Sequence, residues 1–203
     1  MKVIFIRHGQ TDENVAGRHQ PTFTPLSLTG RKQAVAAGQR LVETGITHIV
    51  ASPLIRTLQT SSLIANQLDM IPSIDHSLVE LIRPTTLTGY GHNHWRSMVF
   101  YLRWYVGLTK TGETYAQLRE RIVTATTNLE RLPDDAVVLV VTHSVFMSLL
   151  VSHVCYDRAL SPWAIVRTFI RLKRLKNTQM IEYTVSKGEN LCGWTQTQGE
   201  LSL

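Results

Sequence analysis

Val3-Ile4-Phe5-Ile6-Arg7-His8-Gly9-Gln10-Thr11 stands almost at the start of the chain, and its reading decides the fold. Four consecutive apolar residues, two of them isoleucine, are too few for a helix and suit a short buried strand. The strand runs straight into an arginine and a histidine. Arg7 and His8 therefore sit at the carboxyl end of a buried strand, the edge at which open α/β sheets collect their ligands.

Working outward, strand-like and helical segments alternate. Leu28-Thr29-Gly30 opens a helix for which Thr29 is the expected cap, with Ala34, Gly38, Leu41 and Val42 at helical spacing and Gly45 as its stop. Thr47 to Ala51 reads as a second strand. Ser52-Pro53 then reads as cap and first helical residue of a helix stepping through Leu54, Leu58, Ser61, Ala65 and Leu68. A short strand is expected near Ser73 to His76. From Leu81 to Thr111 the chain is irregular and aromatic-rich, with Tyr90, Trp95, Phe100, Tyr101, Trp104 and Tyr105 more suited to a core than to a cofactor box.

A long helix is expected from about Glu113, with Tyr115, Leu118, Ile122, Ala125, Leu129 and Leu132 on one stripe and Glu113 in its first turn. After a turn at Pro133-Asp134-Asp135, Ala136 to Thr142 is the most strand-like segment. A helix follows from Ser144 to about Cys155, another from Ser161-Pro162 to near Lys176, and a last main strand from Thr178 to Val185. This alternation predicts a three-layer α/β/α sandwich with a mostly parallel central sheet. No repeat, low-complexity tract or linker divides it, so residues 1–203 are expected to form one domain with an irregular insert at about 81–111.

The bulk numbers agree. Of 203 residues, 43% are hydrophobic and 18% charged, enough for a substantial core. A formal net charge of +6 favours anionic partners without choosing among nucleic acid, acidic lipid and small phosphorylated molecules. Cys155 and Cys192 give no disulfide framework and suit a reducing compartment. The first apolar run ends at Arg7 with no cleavage site after it, and no stretch has the length of a membrane span. A soluble cytoplasmic protein is expected.

Three expected strand ends carry unusual residues: Arg7-His8-Gly9, Ser52 with Arg56 one turn on, and Thr142-His143-Ser144. Parallel strands would put two arginines and two histidines at one edge. Phosphate suits such a place, because arginine forks match its oxygens with paired charge-assisted hydrogen bonds.

These residues resemble the signature of the histidine phosphatase superfamily, which includes the cofactor-dependent phosphoglycerate mutases. Gln10-Thr11 and Asn14 continue the first motif, and Leu28-Thr29-Gly30 with Gln33-Ala34 looks like the family's first helix. Ser52-Pro53-Leu54, Arg56-Thr57 and Gln59-Thr60 resemble its second arginine motif. Leu78-Val79-Glu80 falls where the family keeps its acid, Val141-Thr142-His143 where it keeps its second histidine, and Asn177-Thr178 resembles the approach to its late strand.

The resemblance implies that a neutral His8 attacks phosphorus in line, its other ring nitrogen held by a backbone carbonyl, to give a phosphohistidine. It implies that Arg7, Arg56 and His143 hold the non-bridging oxygens, with Asn14 and the Ser144 amide adding hydrogen bonds. Glu80 would protonate the leaving oxygen and then deprotonate water; Glu43 and Glu113 are its rivals in the sequence. Thr11 is expected near the substrate. The insert is expected to form a lid from which Arg83, Arg96 and Arg103 set substrate choice.

No step needs a metal or cofactor, and no ligand cluster completes a metal site around His92-Asn93-His94. Arg167, Arg171, Lys173, Arg174 and Lys176 recur opposite Val166, Phe169 and Ile170, which reads as a solvated helix face, without a nucleic-acid-binding motif. Mutase-type members follow the acid with Arg-His-Tyr-Gly, whereas Leu81-Ile82-Arg83-Pro84 stands here, and the chain is shorter than typical mutases. The expectation is a phosphomonoester phosphatase acting on a small phosphorylated metabolite. Its rivals are a cofactor-dependent phosphoglycerate mutase, a phosphoprotein phosphatase and a non-catalytic phosphate-binding module.

Overall fold

The computed structural model describes residues 1–154, 159–172, 175–186 and 193–198, the side chains of 171, 172 and 198 excepted. Its elements in chain order are β1 (Lys2–Arg7), α1 (Asp12–Val15), α2 (Leu28–Leu41), β2 (His48–Ala51), α3 (Ile55–Leu68), β3 (Ser73–Ile74), α4 (Trp95–Tyr105), α5 (Tyr115–Glu130), β4 (Val137–Thr142), α6 (Ser144–His153), α7 (Pro162–Leu172), β5 (Met180–Val185) and β6 (Trp194–Gln198). The six strands form one sheet in the order β3-β2-β4-β1-β5-β6. β3, β2, β4 and β1 are mutually parallel; β5 and β6 complete the sheet antiparallel.

The unbroken apolar runs of β1 and β4 follow from burial of both faces. Because side chains alternate across a strand, Val3, Phe5, Val138 and Val140 enter one core with Tyr115, Leu118, Ile122, Phe146 and Leu149 of α5 and α6. Ile4, Ile6, Leu139 and Val141 enter the other core with Ala37 and Leu41 of α2 and Ile64 and Ala65 of α3. The expected three layers are therefore present.

Several local expectations give way to tertiary contacts. Ser27, not Thr29, caps α2, its hydroxyl accepting from the Gly30 amide at 3.1 Å. Val42 is exposed. The helix after β2 starts at Ile55 rather than Pro53, because the Ser52 hydroxyl is bonded across the sheet to His143 and is not a cap. The buried face of α3 carries Thr57, Thr60, Ser61, Ile64 and Ala65, while Leu54, Leu58 and Leu68 are only half-buried. Glu113 precedes α5, whose cap is Thr114 in a capping box with Gln117.

The segment 81–111 is not irregular throughout, since it holds α4. That helix is hard to read because large apolar residues also lie outside its buried face: Phe100 and Trp104 are buried, whereas Trp95, Met98 and Leu102 are exposed. In α7 the buried positions are Ile165 and Thr168, with Val166 and Ile170 outside. β6 was not anticipated. Cys155, Cys192, Lys173, Arg174 and the Arg171 side chain lie outside the described residues. Among the described residues no helix is long and apolar enough to cross a membrane.

Two glycines bring the end of β1 against α2. The Gln10 amide donates to Gln33 at 2.9 Å, and the Gln10 carbonyl accepts from the Ser27 amide at 2.9 Å. A Cβ on Gly30 would collide with the Gln10 carbonyl, and one on Gly9 would lie 2.5 Å from the Gly30 carbonyl oxygen. Both obstacles are backbone, which cannot swing aside. Gly30→Ala is expected to lower stability by about 1–3 kcal/mol through overpacking, measured by urea unfolding; an unchanged midpoint would show that α2 moves freely relative to β1.

Candidate functional site

The register of the sheet assembles the site. Arg7 pairs with Thr142 and Ala51 with Val141, so His8, Ser52 and His143 leave three neighbouring strands side by side. The His8 amide donates to the Thr142 carbonyl at 3.0 Å, and Asn177 Nδ2 donates to the His8 carbonyl at 3.1 Å. Both fix the backbone at the turn out of β1.

His8 Nδ1 lies 2.7 Å from the Gly9 carbonyl oxygen. A carbonyl only accepts, so in the neutral ring Nδ1 carries the hydrogen and Nε2 keeps its lone pair. The ring is buried, and burial together with Arg56 and Arg7 holds its pKa well below the ordinary histidine value. His143 is fully buried with its centroid 5.3 Å from that of His8. Its Nε2 lies 2.8 Å from Ser52 Oγ, while its Nδ1 is buried without a partner. Burial and Arg56 likewise lower its pKa well below the usual value.

Two guanidinium groups complete this set. Arg7 gives Nη1 to the Leu175 carbonyl at 2.6 Å, Arg56 gives Nη1 to the Pro21 carbonyl at 3.4 Å, and the Nε of each is buried without a partner. Burial lowers Arg56 to about 10, against the attraction of Glu80, so it remains charged at neutral pH. Two unpartnered buried guanidinium nitrogens and one unpartnered ring nitrogen of His143 thus belong to residues whose positive charges act on His8 or whose ring lies against it. An unsatisfied buried donor costs about 1–3 kcal/mol, and a tetrahedral oxyanion supplies acceptors to several at once.

Of the three carboxylates in contention, Glu80 is the one whose field acts on both Arg7 and Arg56. It is half-buried and bound to the first turn of α6: Oε1 accepts from the Phe146 amide at 2.9 Å and the Leu81 amide at 3.0 Å, and Oε2 from the Val145 amide at 3.3 Å. Glu43 is exposed beyond the end of α2, and Glu113 is buried in an ion pair with Arg121.

Asn14 Oδ1 accepts from the Thr11 amide at 3.2 Å and from Asn177 Nδ2 at 3.1 Å, leaving its own amide nitrogen as donor. Thr11 departs from expectation: it is fully buried, and its hydroxyl caps α1 by accepting from the Asn14 amide at 3.2 Å. Ser144 is the first residue of α6, behind His143 at the cap. Arg83 is held by Tyr101 of α4, with Nε 3.2 Å from its hydroxyl and the guanidinium 6.0 Å from its ring centre. Arg96 instead bonds Tyr90 Oη at 2.8 Å. His92 and His94 do not form a metal pair, since His92 packs edge-on against His19 with centroids 4.6 Å apart and His94 caps α4. Among the described residues no group of three His, Cys, Asp or Glu could hold a metal ion.

Three further buried side chains take partners that the sequence does not reveal. Ser52, expected as a strand end and helix cap, bonds His143 because its neighbour Ala51 is paired with β4. Thr60, buried in α3, accepts the Gly9 amide at 3.0 Å. His19 is buried with Nε2 2.8 Å from Ser97 Oγ, and burial, Arg83 and His92 push its pKa down to about 3. The deciding partner of each lies in another part of the chain.

A profile of the histidine phosphatase superfamily (branch 1) matches residues 3–182. A probable phosphoglycerate mutase, GpmB, of Escherichia fergusonii is 31% identical over 212 residues, spanning 100% of this chain and 94% of that one. Among solved structures, YhfR of Bacillus stearothermophilus superposes with a TM-score of 0.77 at 23% identity, covering 99% of this chain and 98% of the other. A mycobacterial glucosyl-3-phosphoglycerate phosphatase superposes with a TM-score of 0.75 at 22% identity, covering 99% of each chain.

The lowered histidine pKa values have a definite sign. In the unfolded chain these rings titrate near 6.5; in the native state they stay neutral to lower pH. Stability is therefore complete above about pH 6.5 and is lost as pH falls from there toward the native values, which for His19 lies at about 3. Denaturant midpoints should fall between pH 7 and pH 5. Nitrogen-15 spectra at pH 6 should show the His8 ring neutral and protonated only at Nδ1. A charged His8 ring at that pH would contradict this electrostatic description.

Proposed function

The chain belongs to the histidine phosphatase superfamily, branch 1, and on that premise we propose that it hydrolyses small phosphorylated metabolites through a phosphohistidine on His8. The observation that carries this reading is the His8 ring itself. The Gly9 carbonyl sets its tautomer at 2.7 Å, the charges of Arg56 and Arg7 act on it, and Arg7, Arg56 and His143 each hold a buried nitrogen without a partner.

In this reading His8 Nε2 attacks phosphorus while the bond to the ester oxygen breaks. Arg7 Nε, Arg56 Nε and His143 Nδ1 donate to the three non-bridging oxygens, whose charge grows in the transition state. For His143 to donate from Nδ1, the Ser52 hydroxyl donates to its Nε2. Asn14 and the Ser144 amide supply further donors. Glu80, protonated when substrate binds, gives its proton to the leaving oxygen. It then takes one from water as that water attacks phosphorus and the N–P bond breaks, releasing orthophosphate and restoring neutral His8. Arg83, anchored on α4, is assigned to the part of the substrate beyond the scissile phosphate.

His8→Ala is expected to abolish hydrolysis of a generic phosphate ester and the acid-labile phosphoenzyme with it, while leaving the circular dichroism spectrum unchanged. Activity of the native chain should survive exhaustive chelation. Hydrolysis within a few fold of the native rate in His8→Ala would eliminate the covalent route.

The name carried by the GpmB relatives favours a second reading, a phosphoglycerate mutase. Chain length does not separate the two, because the match spans 94% of that relative. The Leu81-Ile82-Arg83-Pro84 sequence after Glu80 still favours hydrolysis. Given 3-phosphoglycerate and a trace of bisphosphoglycerate, the protein should release orthophosphate. Rapid interconversion of the monophosphates with little release would establish the mutase instead.

A further inference from the structure

We propose that Arg121 and Glu113 are positioning residues for the reaction, a buried clamp that fixes the peptide carrying Glu80; this inference rests on the reading of Glu80 as the proton donor. The expected role of Glu113, a charge in the first turn of α5 favoured by the helix dipole, leaves its burial unexplained. Its side chain is 7% exposed and that of Arg121, two turns into α5, 14% exposed. A buried ion pair adds little net stability, so its worth lies in what it orients.

The contacts converge on the backbone either side of Glu80. Arg121 Nη1 donates to the carbonyls of Ser77 at 2.9 Å and Val79 at 2.6 Å. Its remaining donors go to Glu113, Nε to Oε2 at 3.1 Å and Nη2 to Oε1 at 2.5 Å. Glu113 Oε1 accepts from the Ile82 amide at 2.8 Å, and the Glu113 amide donates to the Ile82 carbonyl at 2.9 Å. The Leu78 carbonyl is taken by Thr142 Oγ1 at 2.8 Å. Residues 77–79 and 82 are thus tied down, and Glu80 lies between them with its carboxylate on the first turn of α6 and its charge acting on Arg7 and Arg56.

The circuit also closes on the carboxylate. The Arg121 guanidinium lies over the Phe146 ring, 4.6 Å from its centre, and the Phe146 amide donates to Glu80 Oε1 at 2.9 Å. One planar guanidinium therefore sets both the peptide from which Glu80 projects and the helix turn on which its carboxylate rests. A proton donor must sit within hydrogen-bond reach of the leaving oxygen, and a displacement of about 1 Å can cost about a hundredfold in rate. Lysine cannot do the same work: an ammonium is a point charge, not a fork.

The test uses leaving groups of different need. Arg121→Lys keeps a cation beside Glu113 but cannot reach it and both carbonyls together. Its kcat/KM for an alkyl phosphate should fall about ten- to hundredfold. The nitrophenol burst with p-nitrophenyl phosphate, whose leaving group needs no proton, should change less than about threefold. Inhibition by orthophosphate should be unchanged. If Arg121→Lys does not fold, Glu113→Gln with Arg121→Met leaves no unpaired buried charge and carries the same comparison.

Glu80→Gln supplies the reference, with an expected loss of roughly two to four orders of magnitude on the alkyl ester and a much smaller one on the burst. Adding Arg121→Lys to Glu80→Gln should then cost nothing further. Equal losses on both substrates in Arg121→Lys, or a loss that persists undiminished beside Glu80→Gln, would overturn the clamp and leave Arg121 a structural residue. Small equal losses in Glu80→Gln itself would overturn the acid assignment, and the clamp's purpose with it.

Discussion

Parallel pairing of β1 with β4 is the constraint on which the rest of the molecule depends. It sets Arg7 opposite Thr142, and the two chains then turn out of the sheet with His8 and His143 adjacent. Those turns bury groups that water would otherwise solvate. The pairing is affordable only because the strands behind it are apolar on both faces, with Val3, Phe5 and Ile6 of β1 and Val138 to Val141 of β4 fully buried. Two cores, one on each face of the sheet, hold an edge that would be unfavourable by itself.

That edge is kept unfavourable. Arg7 Nε, Arg56 Nε and His143 Nδ1 are buried without partners, and burial, reinforced by the field of two arginines, suppresses protonation of both histidines. In the proposed reaction a dianionic phosphoryl group would accept from these donors and balance the charge. The same burial and field keep the His8 ring neutral, with the Nε2 lone pair free. In the proposed reaction, binding and nucleophile activation would thus arise from one electrostatic arrangement.

The supporting contacts come from elements remote in sequence. Asn177 reaches both His8 and Asn14, α3 supplies Thr60 to the Gly9 amide, and Gly30 allows α2 to press on Gln10. Around Glu80, α5 and α6 meet through Arg121 and Phe146. Arg83 is different in kind, since its anchor Tyr101 lies on α4. The segment 81–111 packs through Phe100 and Trp104 yet exposes Trp95, Met98 and Leu102, so its contact with the rest of the chain is one-sided.

The amino-acid sequence by itself determined the layered α/β plan and the strand ends that matter, because period and burial are local properties: a run such as Val3 to Ile6 can only be a buried strand. It also determined the chemistry available at those ends, since arginine and histidine following a strand are visible without coordinates. Resemblance to a family singled out Glu80 among the acids. Only the tertiary structure decided how those groups are held. Ser52 looked like a cap until strand register placed it against His143. Glu113 looked like a helix-dipole charge until Arg121 was found 2.5 Å away. Thr11 looked like a substrate contact until its hydroxyl was found capping α1. α4 is harder to place because Trp95, Met98 and Leu102 are apolar outside the face buried through Phe100 and Trp104. In each case the deciding partner lies in another element, or on another face of the same one, and hydrogen-bond geometry between distant segments has no signature in the order of residues along the chain.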